Sequence, residues 1–115
     1  MQFMILTYET EQAFNSREGS GAAEYWGAWQ AYSQALVAAG VLVGGNALLP
    51  VHTATTLRIN KGKRLVQDGP IADTKEQLGG YYIVDVPHLD AALEWAARCP
   101  AVHDGGVEVR PVMKM

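Results

Sequence analysis

The sequence has a single cysteine, Cys99, so no disulfide can form within the chain, and a reducing compartment fits that usage. No apolar run approaches the ~20 residues that crossing a bilayer requires. The stretch Met1 to Glu9 lacks the basic start and cleavage site of a secretory signal. A cytoplasmic location is therefore expected. Basic residues are also scarce: 9 Lys and Arg against 12 Asp and Glu leave a formal charge of −3. Nucleic-acid binding needs a concentrated basic surface to displace counterions, and anionic membranes attract basic segments, so neither partner is expected. His52, His88 and His103 are scattered without ligand spacing, so no metal is expected. The glycines match neither the dinucleotide nor the P-loop fingerprint, and the serines form no nucleophile elbow, so no cofactor is expected.

What is present is a core-forming composition. About half of the 115 residues are apolar, enough for one domain spanning residues 1–115. Phe3 to Tyr8 has strand character with both faces largely apolar, so both should be covered. Glu11 to Gly21 is polar and glycine-containing, a loop that could be mobile. Tyr25, Ala28, Trp29, Tyr32, Ala35, Leu36 and Ala39 recur at helical spacing, and Gly40 is placed to end that helix. Trp26 lies off the stripe, as a surface aromatic or an interface contact.

Val41 to Val43 is a short strand, interrupted by Gly44-Gly45-Asn46 and resumed from Ala47 to Leu49. Thr55 to Ile59 and Arg64 to Gln67 flank a hairpin turn at Asn60-Lys61-Gly62-Lys63. The charges of Arg58, Lys61, Lys63 and Arg64 belong to that solvated hairpin. Tyr81 to Val86 forms a strand and His88 to Arg98 a helix with Leu89, Ala92, Leu93 and Ala96 inward; Val107 to Val112 is the last strand. This order describes a ferredoxin-like α+β sandwich with two helices on one face of an antiparallel sheet. A second subunit stacked on the other face would bury it, giving a homodimer with a barrel-like centre.

Val66-Gln67-Asp68-Gly69-Pro70-Ile71-Ala72-Asp73, followed by Lys75-Glu76-Gln77-Leu78-Gly79-Gly80, resembles the signature of the DGPF-type YCII-related proteins. Leu89 to Ala96 and Gly106 to Val112 resemble the same family's C-terminal half, so the likeness is strongest from Arg58 to Met113. Ile71 replaces the namesake phenylalanine, and Asp73 stands where glutamate is usual. The resemblance implies a dimeric α+β barrel of ferredoxin-like topology. It implies little about activity, since members are mostly uncharacterised, some being encoded beside or fused to extracytoplasmic-function sigma factors. The wider group is thought to pair a histidine on the first helix with an aspartate before a proline. Here that helix has no histidine and Cys99 precedes Pro100, so the pair does not carry over.

The segment from Asp68 to Gly80 admits two readings. Gly69 and Pro70 make a turn, with Asp68 accepting backbone hydrogen bonds. Asp73 and Glu76 have capping-box spacing for a short helical turn at Thr74. Gly79-Gly80 permits a close backbone approach. All of this can be purely structural. Alternatively, strand alternation places Tyr81 and Asp85, with Glu108 and Arg110, on the face away from the helices. Glu108 and Arg110 then either neutralise each other or line a pocket. In that pocket Arg110 would bind an anionic group of a small polar ligand, beside Asp85, Tyr81, Gly69 and Pro70, while Asp68 or Glu108 accepts a proton. Two functions follow: a small-molecule-binding dimer with metal-independent acid–base chemistry, or a non-catalytic module engaging a sigma-factor-related protein.

Overall fold

A computed structural model describes residues 1–115. Strand β1 (Gln2–Thr10) sends Phe3, Ile5, Thr7 and Glu9 into the core and leaves Met4, Leu6, Tyr8 and Thr10 half-buried. Thr10 then caps α1 (Glu11–Asn15), its hydroxyl accepting from the Ala13 N–H at 3.2 Å. This helix lies in the segment whose polarity suggests a loop; Phe14 anchors it by burial. Helix α2 (Ala22–Ala38) follows, with Tyr32 and Leu36 buried. Gly40, at φ 72°, ends it in the expected left-handed turn.

Strand β2 (Leu42–Ala47) runs through its glycines without the expected interruption, with a register irregularity between Leu42 and Gly44. A 3-10 turn at Val51–Thr53 leads into β3 (Thr55–Asn60) and β4 (Lys63–Asp68). Lys61 and Gly62, at φ 51° and 79°, make the two-residue connection whose twist suits a hairpin. Strand β5 (Glu76–Asp85) begins earlier than its apolar pattern suggests. Pairing of Glu76 with Thr10 extends the ladder there, so the helical turn expected at Thr74 does not form. His88 caps α3 (Leu89–Ala97), its Nδ1 accepting from the Ala91 N–H at 3.2 Å. Of the predicted stripe only Ala92 and Ala96 are buried, while Leu89 and Leu93 are about half exposed. The small alanines allow the close approach, and the leucines flank it. Strand β6 (Gly106–Pro111) completes the chain.

The main sheet has the order β2-β5-β1-β6 with every neighbour antiparallel. Each strand–helix–strand unit skips one strand, which is the ferredoxin-like arrangement. Helices α2 and α3 cover one face, where Phe3, Ile5, Val84 and Val86 meet Tyr32, Leu36, Ala92 and Cys99. Within one chain the sheet is open: β2 and β6 are free edges and no barrel closes. The β3–β4 ribbon forms a separate two-stranded sheet. No helix is long and apolar enough to cross a membrane.

Candidate functional site: a buried Glu9–Arg17–Tyr25 cluster

The inward series of β1 ends in a charge. Glu9 follows Phe3, Ile5 and Thr7 in phase and is only 3% exposed. A carboxylate so placed is costly unless it is paired and hydrogen-bonded. Two groups from the following segment provide that. The Tyr25 hydroxyl, from the first turn of α2, donates to Glu9 Oε1 at 2.5 Å. Arg17 Nη2 donates to Glu9 Oε2 at 3.1 Å.

Arg17 is itself held on several sides. Its Nε donates to the Tyr25 oxygen at 3.2 Å, and Nη1 to the Leu48 carbonyl at 2.5 Å. Nη2 also donates to the Gly79 carbonyl at 3.1 Å. The guanidinium lies 4.6 Å from the Phe14 ring centre and 5.4 Å from that of Trp26. Trp26 returns a hydrogen bond from its indole N–H to the Arg17 carbonyl, 3.1 Å.

Gly79 explains the double glycine. Thr7 pairs with Gly80 and Tyr8 with Leu78, so Gly79 is the extra residue of a β-bulge. A Cβ at Gly79 would overlap the Glu9 carboxylate, and one at Gly80 would come within 2.8 Å of the Asn46 carbonyl. Both glycines are needed for close approach.

Beside this cluster lies a cavity of about 290 Å³. Glu9, Arg17 and Tyr25 line one side; Trp29, Ser33 and Tyr82 line another. The Ser33 and Tyr82 hydroxyls are 2.7 Å apart. The Trp29 and Tyr82 rings are nearly parallel, inclined by 12° with centroids 6.4 Å apart. Arg17, Trp26 and Ala47 also border a wider outer cleft of about 900 Å³. The arrangement is an aromatic-walled chamber with hydroxyl groups that can donate or accept, and one fixed carboxylate.

Burial, and then the hydrogen bond to Glu9, push the Tyr25 phenol up to about 12, so it remains a proton donor toward the carboxylate at neutral pH. Burial also raises the Tyr82 phenol, against the lowering effect of Ser33. Cys99 is completely buried, and desolvation pushes its thiol up to about 11, far from a reactive thiolate.

The sequence-derived candidates lie elsewhere. Glu108 and Arg110 share the face away from the helices, as alternation indicates, and pair with each other at 2.5 Å. Asp85 pairs with the terminal ammonium of Met1 at 2.8 Å. Asp68 ends β4 at an exposed position. Gly69, at φ 104°, is tied into the ribbon: its N–H donates to the Ala54 carbonyl at 2.7 Å, and its carbonyl accepts from the Thr56 hydroxyl at 2.8 Å. Pro70 follows at the ribbon's root. Only Tyr81 borders the cavity, its hydroxyl accepting from the Asn46 amide at 2.9 Å. No group of three or more His, Cys, Asp or Glu side chains is placed to hold a metal ion.

Glu9 and Arg17 escape a reading from sequence for different reasons. Glu9 is in phase with Phe3, Ile5 and Thr7, and extending β1 by one residue pair would have revealed an inward charge. Arg17 lies in a polar segment with no periodicity, and only tertiary packing brings it back onto the sheet.

The chain resembles known proteins in sequence and in fold. The 34% identical "Uncharacterized protein R00369" of Rhizobium meliloti (strain 1021) aligns over 114 residues, 97% of this chain and 92% of that one. The structure resembles 5-chloro-2-hydroxyhydroquinone dehydrochlorinase (TftG) from Burkholderia phenoliruptrix AC1100, in complex with 2,5-dihydroxybenzoquinone, with a TM-score of 0.56. That likeness covers 98% of this chain and 94% of the other at 18% identity, and concerns the fold. The YCII-related domain model matches residues 1–115 from end to end, and the chain belongs to the YCII-related domain family.

Proposed function

We propose that the cavity beside Glu9 binds a small, planar, oxygen-bearing molecule and that Glu9 accepts a proton from it. The observation that carries this reading is the inward carboxylate of Glu9, bordering an aromatic-walled cavity with its orientation fixed by Tyr25 and Arg17. A carboxylate held in place and shielded from water is a competent general base once a ligand O–H or activated C–H comes within hydrogen-bond reach. Arg17 stabilises its charge between turnovers. Trp29 and Tyr82 offer flat surfaces for a ring, and Ser33 with Tyr82 can give or take a hydrogen bond at a ring oxygen. The ligand of the fold neighbour, 2,5-dihydroxybenzoquinone, is of this shape class.

Thermal shift and tryptophan fluorescence with hydroxylated benzoquinones, catechols and hydroxybenzoates test the reading. Two of the chain's three tryptophans line the cavity, so binding should quench emission. Glu9→Gln and Ser33→Ala should each weaken binding by tenfold or more, on the order of the 1.4 kcal/mol that one well-placed polar contact supplies. Unchanged binding in both variants would remove the assignment. Loss of binding in Arg110→Ala or Asp68→Asn instead would move the site to the opposite face or the ribbon root.

A further inference from the structure

The chamber beside Glu9 does not end at its own walls. Arg17, Trp26 and Ala47 line both it and the outer cleft, so the two spaces meet along a shared border. At about 290 Å³ the chamber lies at the low end of ligand sites, which span ~300–1,000 Å³, whereas the cleft holds about 900 Å³. The chamber suits a ring. The pair has room for a ring with a substituent several atoms long.

From that border the cleft wall is apolar. Trp26 is 40% exposed, Leu48 36% and Leu49 76%, and Val51 lines the same cleft. The backbone that carries them is tied down. The Leu48 N–H donates to the Gly79 carbonyl at 2.9 Å, and the Thr53 hydroxyl donates to the Pro50 carbonyl at 2.6 Å. Trp26 is fixed by its bond to the Arg17 carbonyl and by edge-on contact with Tyr25, the ring centroids 4.9 Å apart. These side chains therefore form a standing apolar wall beside the chamber.

The charges of the cleft narrow the chemistry of an occupant. Glu11, Glu18 and Asp73 line it against Lys75 and His52, Arg17 being already paired with Glu9. The acids outnumber the bases, which disfavours a carboxylate or phosphate there. They come from α1, the turn after it and the segment before β5. A group leaving the chamber past Trp26 and Ala47 meets Leu48 and Leu49 instead.

We propose, on the reading that the chamber holds an oxygen-bearing ring, that the cleft is a second subsite for an uncharged alkyl or alkenyl substituent on that ring, laid along Trp26, Leu48, Leu49 and Val51. Calorimetric titration of the full chain with alkyl esters of 4-hydroxybenzoate, from methyl to hexyl, tests it. Affinity should tighten about two- to fourfold for each added methylene, and the heat-capacity change of binding should grow more negative along the series. Leu49→Asp should bind the methyl ester as the native chain does and lose most of the gain with length. Its side chain lies outside the chamber, and its exposure leaves the fold intact. Leu49→Met should keep the gain. A flat series in which the methyl ester still binds would overturn the second subsite and leave the chamber reading standing. A gain that survives in Leu49→Asp would place the alkyl chain elsewhere and overturn it too, as would loss of the methyl ester in that variant. Tighter binding of an aminoalkyl ester than of the alkyl ester of equal length would show a cation subsite instead, and would equally overturn the proposal. If no ester binds, the chamber reading falls and the subsite with it.

Discussion

The phenol of Tyr25 donates to the carboxylate of Glu9 at 2.5 Å, and both side chains are gripped by Arg17. Three residues from β1, the turn after α1 and the start of α2 thus form one buried polar unit against the sheet. Its behaviour on substitution should be that of a unit.

Arg17→Ala should destabilise the chain by roughly 3–5 kcal/mol, because it leaves the Glu9 carboxylate buried without its compensating charge. Arg17→Met combined with Glu9→Gln should cost less than the two single changes together, with a coupling of about 0.5–3 kcal/mol. Urea unfolding of the four proteins measures this; simple additivity would mean that the pair is not energetically linked.

Gly79→Ala should displace Glu9 and destabilise by about 1–3 kcal/mol through overpacking. Gly27 provides the contrast. It lies within α2 with open space where a Cβ would go, so Gly27→Ala should stabilise by about 0.5–1 kcal/mol. Thermal melts that rank the two variants the other way round would contradict the bulge geometry.

Alkaline pH should weaken the fold in a defined window. The folded state holds the Tyr25 proton more tightly than the unfolded chain, with its phenol pushed from 10.0 up to about 12. The associated stability is present in full below pH 10.0 and is lost as pH rises through about 12. Cys99, moved from 9.0 to about 11, begins the decline earlier. Tyr25→Phe should make stability fall less steeply between these limits, measured by denaturant unfolding at stepped pH; an unchanged slope would show that Tyr25 does not contribute.

Cys99 should resist aromatic disulfide reagents in the native chain at neutral pH and react promptly once urea unfolds it, since it is both fully buried and protonated. Rapid native labelling would contradict its place in the core.

Much of the fold follows from local pattern. The alternation of Phe3, Ile5 and Thr7, the stripe of Tyr32 and Leu36, the turn at Lys61-Gly62 and the cap at His88 each reflect a preference that acts within a few residues. The site is less legible because it is assembled across the chain: Arg17 bonds to the carbonyls of Leu48 and Gly79, which neither periodicity nor composition relates to it. Asp68 and Arg110 attract attention as charges in conspicuous local settings, whereas Glu9 is conspicuous only once β1 is known to continue to Thr10. The ribbon is legible as a hairpin, but its separation from the main sheet is a tertiary outcome, since nothing in Thr55 to Asp68 states which strands it will avoid.

The bulge at Gly79 has a consequence for how the chain could be shortened. Thr7 opposite Gly80 and Tyr8 opposite Leu78 are neighbours that an unbulged ladder would join directly. Excising Gly79 alone would therefore leave every other partnership of β1 and β5 in register. What would vanish is one carbonyl, the acceptor shared by Arg17 and the Leu48 N–H. A trimmed chain should thus fold with a more regular sheet and a poorly held Arg17, uncoupling the architecture from the chemistry at a single peptide unit.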